Sequence, residues 1–417
     1  MKGTLRGIFK DAQKDYKIIS KTYKILVKTY DLKIQMHSAG QWLLDNMYII
    51  EEQYGEIIDN KKILYNKLLP AIKTHDNKKC VAIFYLAYEL IENNKGYVDK
   101  NIIFNCLREH QKLTYLTSEE LDLFVLMLRI ALIKFIARIA VNITNSQLKK
   151  IEVENILGNE KIKNFNGDLR FFKGVSKDSK LSNLSKIKTT NTAFVEYMSY
   201  RLKEMGTAGE KYYDQLQEEI SKLGFSVEEA IVKEHMEIAK TTDYIGKAIS
   251  SFKILQGLNF REIFEAVNKI DETLMNDYTD EFRKCDYKTK ERYRGYIIKL
   301  AKKYDLSEVY VAKKAVICSK KYKKHVGFFL IGDQKFLLKE ELGKSGLSQK
   351  ILYKFFVPIR SSLYILSLLL ISILLTIFTY KLINDKIIIV KENKYARNNT
   401  IDNGKLRLFW SICNDCN

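Results

Sequence analysis

"LDLFVLMLRIALIKFIARIAV", residues 121 to 141, decides what kind of fold this chain builds. It is apolar enough in bulk to suggest a membrane helix, but Asp122, Arg129, Lys134 and Arg138 interrupt it. Three cations near the middle of a lipid span would cost about 2.5 to 3.5 kcal/mol each, more than its leucines and isoleucines return. The stretch is therefore expected to be a long core helix of a soluble domain. Thr117-Ser118-Glu119-Glu120 opens it with the spacing of a capping box.

The preceding residues carry the same helical period. In "HSAGQWLLDNMYIIEEQYGEI", residues 37 to 57, Met36, Gly40, Leu43, Met47, Ile50, Tyr54 and Ile57 recur at alternating spacings of 4 and 3, the seam of a packed helix. Trp42, Asn46, Ile49 and Gln53 form a second row beside that seam, while Asp45, Glu52 and Glu56 face away. Two readings stand: a bundle flank with a half-buried Trp, or a row that touches sugar or a partner. Packing is the expectation for Trp42, because an aromatic at helical spacing is more often core than platform.

Residues 8 to 30 make a two-faced helix. Phe9, Ala12, Tyr16, Ile19, Tyr23, Leu26 and Tyr30 form its apolar row, and Lys10, Lys14, Lys17, Lys21, Lys24 and Lys28 the opposite one. The lysines read as a solvated face or as a contact with an anionic membrane surface. Further helices are expected over 37–58, 61–73, 78–94, 98–111 and 117–143. The Gly-, Asn-, Ser- and Lys-rich stretch 157–190 reads as a linker and first domain boundary. A second helical domain follows over 191–318, with a capping box at Ser226-Val227-Glu228-Glu229 and a helix start near Asp305. "HVGFFLIGDQKFLL", residues 325 to 338, has the β-branched and aromatic content of a short strand or hairpin within a juxtamembrane segment, 319–360.

"SSLYILSLLLISILLTIFTY", residues 361 to 380, is the opposite of the opening stretch, with no charge over its length. At 1.5 Å per residue it is about 30 Å long, the thickness of the hydrocarbon layer. Its Leu, Ile and Phe residues favour insertion by roughly 4 to 7 kcal/mol in all. Lys350, Lys354 and Arg360 flank one end and Lys381, Lys386 and Lys391 the other, so charge does not fix its orientation. A polar tail, 381–417, follows. The expected fold is mostly α: a 1–156 helical domain, the linker, a 191–318 helical domain, a short β element and one transmembrane helix.

Composition agrees. The chain has 417 residues with only 2 prolines and 19 glycines, which suits long helices better than a turn-rich β fold. Its 6 cysteines are scattered, as in a reducing compartment, and Cys413 with Cys416 makes one CxxC without a second pair, too little for zinc. A net charge of +20 suits lipid headgroups, nucleotide sugars or nucleic acid. No nucleic-acid recognition motif accompanies it, so nucleic acid is not expected as a partner.

Catalytic sets are absent from the reading. There is no Gly-rich phosphate loop, no His-Glu-x-x-His and no Gly-x-Ser-x-Gly. His37, His75, His110, His235 and His325 never pair at ligand spacing. No catalytic, cofactor-binding or metal-binding residue is assigned.

Several stretches, taken in order, resemble one family. "AGQWLLDNMYIIEEQYGEI" resembles the N-terminal region of cyclic β-1,2-glucan synthases, and "LTSEELDLFVLMLRIALIKFIARIA" is similar to that family's Leu-Thr-x-x-Glu-Leu and Leu-Arg-x-x-Leu-Ile run. "EHMEIAKTTDYIGKAISSFKILQGLNFREIFEAVNKID" looks like its Glu-His element followed by Gly-x-x-Ile-x-Ser. "DYKTKERYRGYIIKLA" resembles its Asp-Phe-x-Thr-x-x-Arg-Tyr-Arg signature with Tyr287 for Phe, and "HVGFFLI" its His-Val-Gly-x-Tyr-Leu-Ile with Phe329 for Tyr. The resemblance covers residues 37 to 380. It implies an inner-membrane system that uses UDP-glucose and a divalent metal, with its bulk cytoplasmic. The family's Asp motifs and Gln-x-x-Arg-Trp are missing here, which implies a truncated or split synthase, inactive alone, whose glycosyltransferase module is missing or separately encoded. The alternative is a membrane-tethered interaction protein. Anionic lipid is a further expected partner.

Overall fold

The computed structural model describes residues 2–74, 77–159, 191–343, 362–384 and 386. The fold is mostly α. Two compact units make up the chain, Met1–Met275 and Asn276–Asn417.

The first unit is organised around α6 (Ser118–Ile156), a helix of 39 residues and about 58 Å. Both halves of the expected capping box are made: the Thr117 hydroxyl accepts from the Glu120 amide, and the Glu120 carboxylate accepts from the Thr117 amide. Leu121, Phe124, Met127, Leu128, Ile130, Ala131, Leu132, Phe135 and Ile136 are all buried, so the helix is apolar nearly all round because protein surrounds it. Each awkward cation in this run finds a partner at the edge of the core. Arg129 donates to Gln53 Oε1 at 2.9 Å and pairs with Glu56 at 2.8 Å. Lys134 sits 5.9 Å above the Tyr88 ring, and Arg138 pairs with Glu92 at 2.6 Å.

Around α6 pack α1 (Arg6–Asp31), α2 (Ser38–Asp45), α3 (Met47–Leu64), α4 (Ala82–Asn93) and α5 (Lys100–Leu113). After α6 come α7 (Thr192–Glu204), α8 (Thr207–Ser221), α9 (Val227–Gly257), α10 (Phe260–Val267) and α11 (Lys269–Leu274). On α1 the apolar row is inward from Phe9 to Leu26, Tyr30 at its end is exposed, and Lys10, Lys14, Lys17, Lys21 and Lys24 are exposed. The seam at residues 40, 43, 47, 50 and 57 is buried as its spacing predicts.

Four expectations need correction. The helix expected over 37–58 breaks at Asn46, whose side-chain amide folds back to the Trp42 carbonyl at 2.9 Å. The break splits the second row: Ile49 and Gln53 are buried, but Trp42 is 42% exposed. Trp42→Ala is therefore expected to cost about 1 kcal/mol or less in a denaturation series, far below the roughly 3–5 kcal/mol of a buried Trp.

The helix expected over 61–73 ends at Leu64 and gives way to a strand, β2 (Leu68–Lys73). Pro70 lacks the amide donor a helix interior needs, and Leu69 and Ala71 alternate inward against exposed Leu68 and Ile72. β2 pairs antiparallel with β1 (Lys2–Thr4) through its first half and with β3 (Lys79–Val81) through its second. The 157–190 stretch is not a domain boundary, because Phe194, Val195 and Met198 of α7 share a core with Ile151, Val153 and Ile156 of α6. Residues 160–190 lie outside the described residues.

The fourth correction concerns the second unit. It holds α12 (Tyr287–Tyr304), α13 (Glu308–Tyr322), α14 (Gly327–Leu330), α15 (Lys335–Glu341) and α16 (Ser362–Asn384). The strand expected within 325–338 is instead two short helices, with Ile331 N–H donating to the Gly327 carbonyl at 2.9 Å. The apolar residues there satisfy their backbone locally, so no neighbouring strand is needed. Asp305 closes α12 in the left-handed region, and Ser307 caps α13. The one helix long and apolar enough to cross a membrane, among the described residues, is α16, with 23 residues, mean hydropathy 2.3 and nothing buried. Cys413, Cys416 and the polar tail from 387 lie outside the described residues.

Candidate functional site: a polar cavity in the first unit

Buried polar groups in the first unit concentrate where α6, α7 and α9 meet the connection between α1 and α2. A cavity of about 170 Å³ opens there, lined by His37, Asn142, Ser146, Asn191, Glu234 and Glu237, among others. Glu234 is 6% exposed, and both its carboxylate oxygens are engaged: Ser146 Oγ donates at 3.1 Å and Thr192 Oγ1 at 2.6 Å. His37 is 8% exposed, and its Nδ1 has no hydrogen-bond partner among the described residues. Burial, aided by the charge on Lys150, pushes the His37 pKa down to about 4, so the imidazole is neutral near pH 7.

Deeper in, Lys150 is buried with its ammonium 5.2 Å from the Tyr197 ring centroid. Burial lowers its pKa against the opposing pull of Glu196 and Glu234. Glu154 gathers three donors: Tyr197 Oη at 2.8 Å, Arg201 Nε at 2.6 Å and Asn159 Nδ2 at 2.8 Å. Gln147 donates to the Gln35 carbonyl at 3.2 Å, which ties α6 to the chain just before His37. These groups hold four chain segments in one register.

The chemistry open to this arrangement is limited. Each Glu234 oxygen already accepts a hydroxyl, and the Lys150 ammonium lies against an aromatic ring. At about 30 Å³ per water, the cavity has room for about six water molecules. A second cavity, about 380 Å³, is lined by Asp11, Asp15, Lys79, Cys80 and Lys134, among others. Burial raises both the Asp15 carboxyl and the Cys80 thiol, and a raised thiol is a poor nucleophile. Among the described residues no three His, Cys, Asp or Glu side chains converge as a metal-ligand set.

The resemblance segments meet in particular ways. Glu234 of the Glu-His pair lines the polar cavity, while His235 turns outward, 3.7 Å from Glu196. Ser251, buried on α9, donates to the Gly96 carbonyl at 2.8 Å and accepts from the Val98 amide at 2.8 Å. That turn needs glycine at 96, where φ is +90° and a Cβ would meet the Phe135 ring at 2.7 Å.

In the second unit, Asp286 caps α12 by accepting from the Thr289 amide at 3.3 Å, and the Arg294 guanidinium lies 5.0 Å from the Tyr287 ring centroid. Tyr293 and His325, from two different segments, place their rings 5.8 Å apart. Gly327 is wedged beside them, since a Cβ there would lie 2.3 Å from Tyr293 Oη. Burial, with the charges of nearby Cys285, Asp277 and Glu281, pushes the Tyr293 hydroxyl up to about 12. Sequence reasoning missed Lys150, Glu154 and Asp277. They sit singly in polar stretches, with no local pattern to mark them as buried.

No protein-family model matches the chain. Over 318 residues it is 23% identical to cyclic beta-(1,2)-glucan synthase NdvB of Rhizobium meliloti (strain 1021). That alignment takes in 74% of this chain and 11% of the synthase. The similarity is distant, and the chain spans a small fraction of the relative's length.

Proposed function

We propose that this chain serves a cyclic β-1,2-glucan synthase as a membrane-anchored helical scaffold, and does not itself transfer glucose. One observation carries the reading. The segments it shares with that family resolve into helix caps, a glycine wedge and buried polar locks, the parts of a platform rather than of a reaction centre. The distant similarity over 318 residues supports the family, and α16 supports the anchor. UDP-glucose and its divalent metal then belong to a glycosyltransferase module that the scaffold positions, at the inner membrane with the helical units on the cytoplasmic side.

Two experiments test this. Purified full chain in detergent, given radiolabelled UDP-glucose and magnesium or manganese, is expected to incorporate no label into protein or soluble glucan; incorporation of label would sink the scaffold reading. Co-reconstitution with a glucan synthase lacking the matching region is expected to raise glucan formation over the deleted synthase alone. No rise would favour a tethered interaction protein with another role.

A further inference from the structure

The corner between α13 and α14 brings clustered lysines together with exposed apolar side chains. Lys320, Lys321, Lys323 and Lys324 are exposed within five residues, with no acid among them. The next residues split by burial: Phe329 and Leu330 point into the core, whereas Phe328 is 49% and Ile331 42% exposed. Lys324 Nζ lies 5.4 Å from the Phe328 ring centroid, so cation and aromatic share one face. Tyr322, beneath Lys321 at 5.6 Å, adds a half-exposed aromatic to it.

The backbone holds this face in place. Lys323 closes α13 in the left-handed region, at φ 50°. Ser319 Oγ donates to the Lys324 carbonyl at 2.7 Å, and the buried Asp277 carboxylate accepts from the Val326 amide at 3.1 Å. Nearby acids are few. Glu341 is engaged with Lys314 at 3.3 Å and touches Lys321 only at 3.9 Å, and Asp333 lies just beyond Ile331.

We propose that this corner is a contact for anionic phospholipid: Phe328 and Ile331 enter the interfacial layer while the four lysines meet headgroup phosphates. An exposed aromatic and an aliphatic beside clustered lysines match that layer, whose polar side is anionic and whose inner side is apolar. The same unit carries α16, which begins 31 residues after Ile331 and, inserted, would keep the corner near a bilayer at high effective concentration. The inference rests on α16 spanning a membrane. The lysine row of α1 also has exposed apolar neighbours, Ile18, Val27 and Tyr30, so it serves as the comparison surface in the test.

The test is hydrogen exchange on the full chain in proteoliposomes of phosphatidylcholine alone or mixed equally with phosphatidylglycerol. Amides of 320–331 are expected to exchange several-fold more slowly in the anionic liposomes. The protection is expected to fade as salt shortens the Debye length from about 10 Å at 0.1 M to about 3 Å at 1 M. A variant with all four lysines changed to glutamine should lose it while keeping its helicity. Equal exchange in both lipids, or protection that persists in the glutamine variant, overturns the proposal. So does equal protection of Lys10–Lys28, which would mean only the general attraction of a +20 chain. Protection in phosphatidylcholine on adding an oligonucleotide would assign the corner to nucleic acid instead. Release of the chain by carbonate would overturn the α16 span rather than the corner, which the same exchange then reads on added anionic vesicles.

Discussion

Asp277→Ala is expected to lower the stability of the 276–343 fold by about 3–5 kcal/mol, the usual effect of removing one partner from a buried charged network. The Asp277 side chain is fully buried. Its carboxylate accepts from Ser319 Oγ, from the Val326 amide at 3.1 Å and from Thr279 Oγ1 at 2.7 Å, with His325 Nε2 3.5 Å away. Alanine would leave the Val326 N–H and the Thr279 hydroxyl without this acceptor, and a donor orphaned inside carries its full desolvation penalty. His325 Nε2, which makes no hydrogen bond to begin with, would lose its neighbouring carboxylate. Ser319 would suffer least, since it also bonds the Lys324 carbonyl. Asp277→Asn keeps the volume but presents an NH₂ group to a set of donors, so an intermediate loss is expected. Hydrogen exchange localises the effect: amides of α13 and α14 should open far more readily, while those of α6 in the first unit stay unchanged. Unaltered exchange at Ser319 and Val326 would show that the carboxylate is not what fixes the corner.

What could be read in the sequence was what recurs along one element. The capping boxes at Thr117 and Ser226 are local, and both form as their spacing says. The burial of α6 was legible because three cations rule out lipid while the apolar residues around them still require cover. The strand of Leu68–Lys73 was not, since Leu, Ala and Ile serve either period and only Pro70 argued against a helix. The break at Asn46 was hidden for a related reason. The seam residues stay buried through it, so their spacing looks continuous although Trp42 has swung outward. The polar cavity was least legible. Its members come from residues 37, 142–146, 191 and 234–241, brought together only because α7 and α9 pack back onto α6.

That convergence also bears on function. The segments that resemble the glucan synthases place Glu234, Ser251, Asp286, Tyr293 and His325 at caps, turns and buried contacts, where substitution breaks packing before it touches any ligand. Distant relatives can keep such positions for the sake of a common platform while their outer surfaces diverge. On this reading the specific work of the chain lies on exposed faces such as the α13–α14 corner, and the polar cavity serves to keep the first unit in register.

The cavity makes the first unit sensitive to acid. His37 is expected to take part in a loss of stability that begins near pH 6.5 and is complete near pH 4. In the unfolded chain its imidazole gains a proton around the ordinary value of 6.5, whereas in the folded chain burial and the Lys150 charge hold its pKa down to about 4. Between those values the unfolded state binds more protons, so stability rises with pH across the window and falls on acidification. A shift of that size corresponds to at most about 3 kcal/mol, with about 2 kcal/mol already lost at pH 5. Glu234 and Glu237 line the same cavity and Glu196 lies near Lys150, so the histidine is isolated by comparing wild type with a variant that lacks only the imidazole. His37→Gln should flatten the dependence between pH 6.5 and 5, whatever its offset at pH 7.5. The measurement is denaturant unfolding of the full chain in detergent at half-unit pH steps, wild type against variant. Parallel curves for the two proteins would mean that His37 takes up its proton in the folded chain as readily as in the unfolded one.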